Sequence, residues 1–255
     1  VFLGSGICSI LTEFLADIDE RVDNIKTIGD VNKELLNITV NNLSSILRDL
    51  EATNRNRQII AKVSRQIKMY DSVSSIVGVN NKLPILYEQM IVLMIGALEV
   101  YIADIFRTIS NRNPEYLVWR SEKEKVSFDP ALLSEGFTLG DVITGHLKTQ
   151  GFSFQDLRST LEAFQKYFDI TIDLDKEMKD TLILAAACRN IIVHNRSEID
   201  SAFRKQIRLT SHAVEKRYKK GNKLSVDEAY VDMLGKMIKS FCRHITILLM
   251  QRDET

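Results

Sequence analysis

Proline is scarce, with three in 255 residues, and glycine is held to eleven. A chain with so few backbone breakers has little material for the many tight turns of a sheet protein, while Leu, Ile, Lys, Glu and Ala recur at helical intervals over most of it. The composition predicts a mostly α-helical, all-α protein. Cysteine is equally sparse. Cys8, Cys188 and Cys242 are odd in number, far apart and set among apolar neighbours, which argues against a disulfide framework and predicts reduced core thiols and a cytoplasmic location. An excess of one charge is also missing: 34 Lys and Arg balance 34 Asp and Glu, so any attraction for nucleic acid must come from local patches.

A long uninterrupted apolar run is lacking too. The most apolar stretch, "LPILYEQMIVLMIGALEVYIADIF" at residues 83–106, is broken by Glu88, Glu99 and Asp104, which predicts a buried core helix and no membrane partner. The first residues carry no basic region and meet Glu13 and Asp17 early, against a signal peptide. What is present is ordinary for a soluble globular chain: 45% hydrophobic and 27% charged residues, enough to bury a substantial core.

Apolar positions at helical spacing over residues 5–28 and roughly 32–77 predict two long helices, with an antiparallel hairpin as the natural arrangement, so residues 1–80 read as an N-terminal helical extension. The stretch "GVNNKLP" at 78–84 predicts a turn, with Pro84 in the first turn of a helix over 84–110. Residues 81–255 then form a second unit with an irregular insertion around 111–137, which holds the single Trp and two of the three prolines. Thr138 and Ser153 each have an acidic residue three places on and should open helices, as should Ser225 with Glu228. Further helices are expected over 175–194, where Asn195 suits a left-handed ending, and over 198–219. Along the last helix, Tyr230, Met237, Phe241, Ile245 and Leu248 should trace one buried face.

The segment "CRNIIVHNRSEID" at 188–200 is the most informative. It places Arg189, Asn190 and His194 at the end of an apolar helix. Cations suit a helix C-terminus on electrostatic grounds alone, where carbonyls leave a partial negative charge. The alternative is a catalytic pair, since Arg keeps its charge while His exchanges a proton near neutral pH. Five helical steps turn Arg189 and His194 roughly 140° apart with about 7.5 Å of rise, so one straight helix aims them apart. A helix end or bend near His194, or two copies about a two-fold axis, would bring both to one cleft.

The string "RNIIVHN" resembles the signature of HEPN (higher eukaryotes and prokaryotes nucleotide-binding) domains, in which Arg, commonly followed by a polar residue, precedes His by four to six residues. The resemblance covers at most residues 84–250. It implies an up-and-down helical bundle, here with an N-terminal long-helix extension, and an acidic residue on an earlier helix near the Arg/His pair. Glu99 in "GALEVYIADIF" holds the matching place. It also implies a homodimer with its site at the interface, and metal-independent RNA cleavage with no cofactor. In that chemistry the ribose 2′-hydroxyl attacks phosphorus, His194 exchanges the proton and Arg189 stabilises the charge on the pentacoordinate phosphate, leaving 2′,3′-cyclic phosphate and 5′-hydroxyl ends. Asn190 would orient His194 from one turn away, and Glu99 would position Arg189 or influence His194. A toxin or phage-defence role, with an antitoxin or defence-system partner, is implied by analogy. A noncatalytic RNA-binding or protein-assembly module of the same family is the alternative, with Glu99 then a structural ion-pair partner.

Residues 204–223 carry eight Lys or Arg against one acid, Glu215. Lys216, Arg217, Lys219 and Lys220 are the candidate RNA contacts, beside the plainer reading of a solvated basic face. A second basic run comprises Arg55, Arg57, Lys62, Arg65 and Lys68. Zinc spacing, a glycine-rich phosphate loop and a Gly-x-Ser-x-Gly element are all missing, so no metal site is expected and His146, His212 and His244 are read as ordinary residues. Cys188 adjoins Arg189, yet its place in "AAAC" favours a small core residue over a nucleophile.

Overall fold

The computed structural model describes residues 5–52, 79–112, 131, 136–149, 152–154 and 156–251. Among these the protein is all-α, a mostly up-and-down bundle of eight helices without a β-strand: α1 (Ser5–Ala52), α2 (Val79–Arg112), α3 (Leu139–Thr149), α4 (Leu157–Phe168), α5 (Lys176–His194), α6 (Ser201–Ile207), α7 (His212–Arg217) and α8 (Glu228–Gln251). The second basic run at 55–68, most of the insertion around 111–137 and the part of the expected second helix beyond residue 52 lie outside the described residues.

The apolar helix α2 is the axis of the bundle and touches α1, α3, α5 and α8. Met94, Ile102, Ile105 and Phe106 are buried along it, and Phe106 gathers Phe154, Phe164 and Phe168 around its ring. Edge-to-face and tilted contacts of this kind add to the area that each ring removes from water. By length and composition alone the stretch Ile85–Arg112 is also sufficient to cross a membrane, so Glu88, Glu99 and Asp104 do not by themselves rule out a span.

Helix α1 runs antiparallel to α8, and four ion pairs follow the seam. Arg243 meets Asp19 at 2.7 Å, Lys239 meets Asp23 at 2.6 Å, Lys26 meets Asp232 at 2.7 Å and Lys33 meets Glu228 at 2.5 Å. Under them Leu11, Ile18 and Val22 enter the core at helical spacing. The expected break between residues 28 and 32 is not made, because α1 continues through it. Gly29 is there for packing: a Cβ at this position would fall 2.6 Å from the Met90 Sδ atom. Helix α2 likewise begins at Val79, within the turn expected at 78–84 and ahead of the expected start at 84, and includes Pro84.

Helix starts follow local side-chain chemistry. Thr138 and Asp141 form the expected reciprocal cap of α3: the Thr138 N–H donates to the Asp141 carboxylate at 3.0 Å, and the Asp141 N–H to Thr138 Oγ1 at 3.3 Å. The cap of α4 is Asp156 rather than Ser153; its carboxylate accepts from the Arg158 N–H at 3.2 Å and the Ser159 hydroxyl at 2.8 Å. At α8 the cap is Asp227, which accepts from the Tyr230 N–H at 2.8 Å, because Glu228 is drawn instead to Lys33 and Tyr87. The buried stripe of α8 includes Phe241 and Ile245 as expected and is completed by Leu234, Ile238 and Leu249, while Tyr230, Met237 and Leu248 are half-buried.

Candidate functional site

The site is organised by α5. Its N-cap, Asp175, accepts from the Met178 N–H at 2.8 Å. From Thr181 to Cys188 every residue is buried, and the small run Ala185–Ala187 lets α5 lie close to α2 and α8. The helix then emerges. Arg189 and Asn190 are half-buried, Ile191 returns to the core, and Val193 and His194 are exposed.

Helix α5 remains helical through Arg189 to His194, so the pair keeps its roughly 140° divergence within one chain. Arg189 Nη1 donates to Asn190 Oδ1 at 3.3 Å, and Asn190 Nδ2 donates to Gln206 Oε1 on α6 at 3.4 Å. The Asn190 amide is thus engaged with Arg189 and α6, on the opposite side of its expected role toward His194. Glu99 is half-buried on α2, the helix against which α5 packs. It lines a cavity of about 450 Å³ whose walls include Ala103, Arg107, Phe152 and Phe154.

The ending of α5 differs from expectation in its left-handed residues. Asn195 has φ −134°, and the left-handed positions are Arg196 (φ 52°) and Ser197 (φ 62°). Both the Asn195 and the Ser197 N–H donate to the Ile191 carbonyl, at 2.9 and 3.0 Å, and the Asn195 side chain donates to the Glu198 carbonyl at 2.7 Å. Two backbone N–H groups on one carbonyl of the last turn and one side chain therefore fix the chain as it leaves His194.

The segment beyond is stitched to the basic turn. The Leu224 N–H donates to the Ser197 carbonyl at 2.7 Å, the Ile199 N–H to Asn222 at 2.9 Å and the Gly221 N–H to Ile199 at 2.8 Å. The expected helix over 198–219 is two short helices, α6 and α7, divided at 208–211. Asp180 in α5 explains the division, since its carboxylate accepts the Ser211 N–H at 3.1 and 3.0 Å just ahead of α7. Nothing in the local sequence signals this tether, which spans 31 residues. Among the eight cations of 204–223, Arg204 and Arg208 turn to Glu215 at 3.2 and 4.0 Å. Lys216, Arg217, Lys219 and Lys220 are all exposed.

Cys188 is buried, and desolvation pushes its thiol up to about 12, so it stays protonated and unreactive at neutral pH. Among the described residues no group of His, Cys, Asp and Glu is arranged to hold a metal ion. No family model, curated protein or solved structure matches this chain.

Proposed function

We propose that the protein is a metal-independent endoribonuclease of the HEPN type, acting as a homodimer in the cytoplasm. The observation that carries this reading is the surfacing of the Arg189-Asn190-x-x-x-His194 turn at the end of an otherwise buried helix, tied through 197–199 and 221–224 to a turn of exposed cations. Cations at a helix C-terminus also suit its unpaired carbonyls; what favours chemistry over that plainer role is the company of Asn190 on Arg189 and of the basic turn beside the exposed imidazole.

In the proposed reaction an RNA strand lies across two such helix ends, with Lys216, Arg217, Lys219 and Lys220 along its phosphates. An imidazole removes the proton of the ribose 2′-hydroxyl. The freed oxygen attacks the adjacent phosphorus, the bond to the 5′-oxygen breaks, and that oxygen leaves with a proton. The products are a 2′,3′-cyclic phosphate and a 5′-hydroxyl. Arg189, oriented by Asn190, faces the charge that grows on the phosphoryl oxygens. Because Arg189 and His194 diverge on one helix, the complete site draws His194 and Arg189 from two copies about a two-fold axis. A role in a toxin–antitoxin or phage-defence system fits such a nuclease by analogy.

The test is direct. His194→Ala should lower the rate of RNA cleavage by about 10²–10⁴ and Arg189→Ala by about 10²–10³, with fold and dimer intact. Cleavage should persist in EDTA and stop when the scissile ribose carries 2′-hydrogen. Full activity of His194→Ala, or equal cutting of the deoxy-substituted strand, would overturn the mechanism. The second reading, a noncatalytic RNA-binding or assembly module, is favoured by the 140° divergence should the protein prove monomeric; RNA would then be bound and released intact.

A further inference from the structure

Glu99 takes no step in the reaction proposed above, and the cavity it lines lies elsewhere along the bundle. Tyr101, two residues further on in α2, donates to the Cys242 carbonyl at 2.8 Å, whereas Cys188, next to Arg189, lies against Tyr230. Those two points of α8 are about 18 Å apart along its axis. The floor of the cavity is one row of α2: Glu99, Ala103 and Arg107 follow at four-residue intervals over about 12 Å. Phe152 and Phe154 wall it, with ring centroids 4.7 Å apart and planes at 88°. Phe154 also stands edge-on to Phe106 at 5.7 Å, and the Phe152 N–H donates to the Leu147 carbonyl at 3.0 Å, so this wall is fixed to the core and to α3. Val100 lines the cavity and is 45% exposed, so the space opens to solvent beside it.

Charge decides what such a space can hold. Arg107 is the one cation among the described residues of the wall, and it is already matched: its Nη1 meets Asp104 Oδ1 at 2.6 Å and its Nε stands 3.2 Å from Asp141 Oδ1. Glu99 brings the groups around the row to three carboxylates against one guanidinium. An anion here would meet a guanidinium already committed and an excess of its own sign. A cation would be drawn by the carboxylates and by the ring faces, whose π-electrons attract a positive charge within about 6 Å. The volume of about 450 Å³ exceeds what a bare ammonium group fills. It falls within the range of ordinary small-molecule sites, about 300–1,000 Å³.

We propose that this cavity binds an organic ammonium ion, with its charged nitrogen at the Glu99 carboxylate and its apolar body against Ala103, Phe152 and Phe154. The carboxylate supplies a charge-assisted hydrogen bond, and the rings supply apolar area and further attraction for the charge. The site does not involve Arg189 or His194 and does not rest on cleavage at them.

The experiment is a calorimetric titration of the full chain at neutral pH with 2-phenylethylamine and hexylamine, both ammonium ions there. The controls are 2-phenylethanol, hexanol and 3-phenylpropionate. At least one amine should bind saturably and at least about tenfold tighter than its alcohol, the worth of one charge-assisted hydrogen bond, with the carboxylate weakest. Preference for the aromatic or for the aliphatic amine sets the shape of the body and supports the proposal either way. Glu99→Gln keeps the shape of the wall and should bring the amine down to the affinity of the alcohol, whose own binding stays unchanged. Val100→Trp, at an exposed position, should obstruct the cavity and weaken amine and alcohol alike. Should Glu99→Gln not fold, the ratio of amine to alcohol and its response to Val100→Trp decide the matter. Binding should survive in Arg189→Ala and His194→Ala, so loss of the nuclease reading and loss of this one are separable. If neither amine binds saturably, if amine and alcohol bind alike, if the carboxylate binds tightest, or if a folded Glu99→Gln binds the amine as wild type does, the proposal is overturned.

Discussion

The two halves of α5 share one helix and obey different rules. From Thr181 to Cys188 the side chains are buried without interruption, and Leu182 is 2% exposed. From Arg189 to His194 only Ile191 is buried, and Val193 is 48% exposed. The first half is replaceable by whatever fills the same volume, because close packing is its only constraint. The second half is specified by chemistry, with Arg189 fixed through Asn190 to α6 and the chain after His194 turned back by two left-handed residues. A core that anchors the helix allows its last turn to carry polar groups at the surface with little loss of stability.

The largest expected effect tests that separation. Leu182→Ala should cost about 2–5 kcal/mol in urea unfolding, through lost transfer energy and a residual cavity. His194→Ala should change stability by no more than about 0.5 kcal/mol, as exposed substitutions do. If the two variants lost equal stability, the division of α5 into anchor and surface would be wrong.

The next effect probes a contact on the far side of α2. Gly140 opens α3 against α2, and a Cβ there would stand 2.6 Å from the Arg107 carbonyl oxygen and 2.9 Å from Asn111 Oδ1. The Gly140 N–H donates to that same Asn111 atom at 2.6 Å. Gly140→Ala must push the two helices apart, since backbone cannot yield as a flexible side chain does, and should cost about 1–3 kcal/mol by thermal or urea denaturation. Gly29→Ala meets only the movable end of Met90 and should cost less.

These cases show what sequence reading reaches. The helix expected over 175–194 is found at Lys176–His194, and the Thr138–Asp141 cap forms as spaced, because both depend on neighbours within one or two turns. The errors arise where a distant partner decides. The gap between the helices expected at 5–28 and 32–77 is spanned by one helix whose Gly29 sits opposite Met90; Glu228 reads as the far end of a cap but pairs with Lys33; residues 198–219 read as one helix but are divided by Asp180. Burial likewise needed the assembled bundle: the spacing of Arg189 and His194 is visible in the string, whereas the emergence of the helix between them is not.

A smaller effect belongs to the α3 cap. Thr138→Ala removes the two hydrogen bonds of the Thr138 hydroxyl, leaving that of its backbone N–H to Asp141, and should cost about 1 kcal/mol. The bonds from Thr138 hold the Asp141 carboxyl below the ordinary aspartate range. A depressed folded-state pKa means that this stabilisation is present above the unfolded value, about 3.9, and is lost as pH falls through the lower folded one. The difference between wild type and Thr138→Ala should therefore shrink below about pH 4 in a stability–pH series.

The smallest effect lies in the seam of α1 and α8, far from α5. The Lys33–Glu228 hydrogen bond raises the Lys33 pKa and lowers that of Glu228. The signs set a window. The Glu228 contribution is present above about pH 4.3 and lost as pH falls through its lower folded value; the Lys33 contribution is present below about pH 10.4 and lost as pH rises through its higher one. Between those limits the pair is fully formed, yet both side chains are in large part open to water, so the coupling from a Lys33→Met, Glu228→Gln double-mutant cycle should be only about 0.2–1 kcal/mol. It should fall with added salt, whose screening length is about 8 Å at 0.15 M. Tyr87 complicates the cycle, since its hydroxyl also donates to Glu228 at 3.2 Å and would lose that acceptor's charge in Glu228→Gln. Repeating the cycle in a Tyr87→Phe background removes this third partner, and the Lys33–Glu228 term should survive there. A coupling that vanished with Tyr87 would mean that the seam at this end is held by the buried tyrosine rather than by the ion pair.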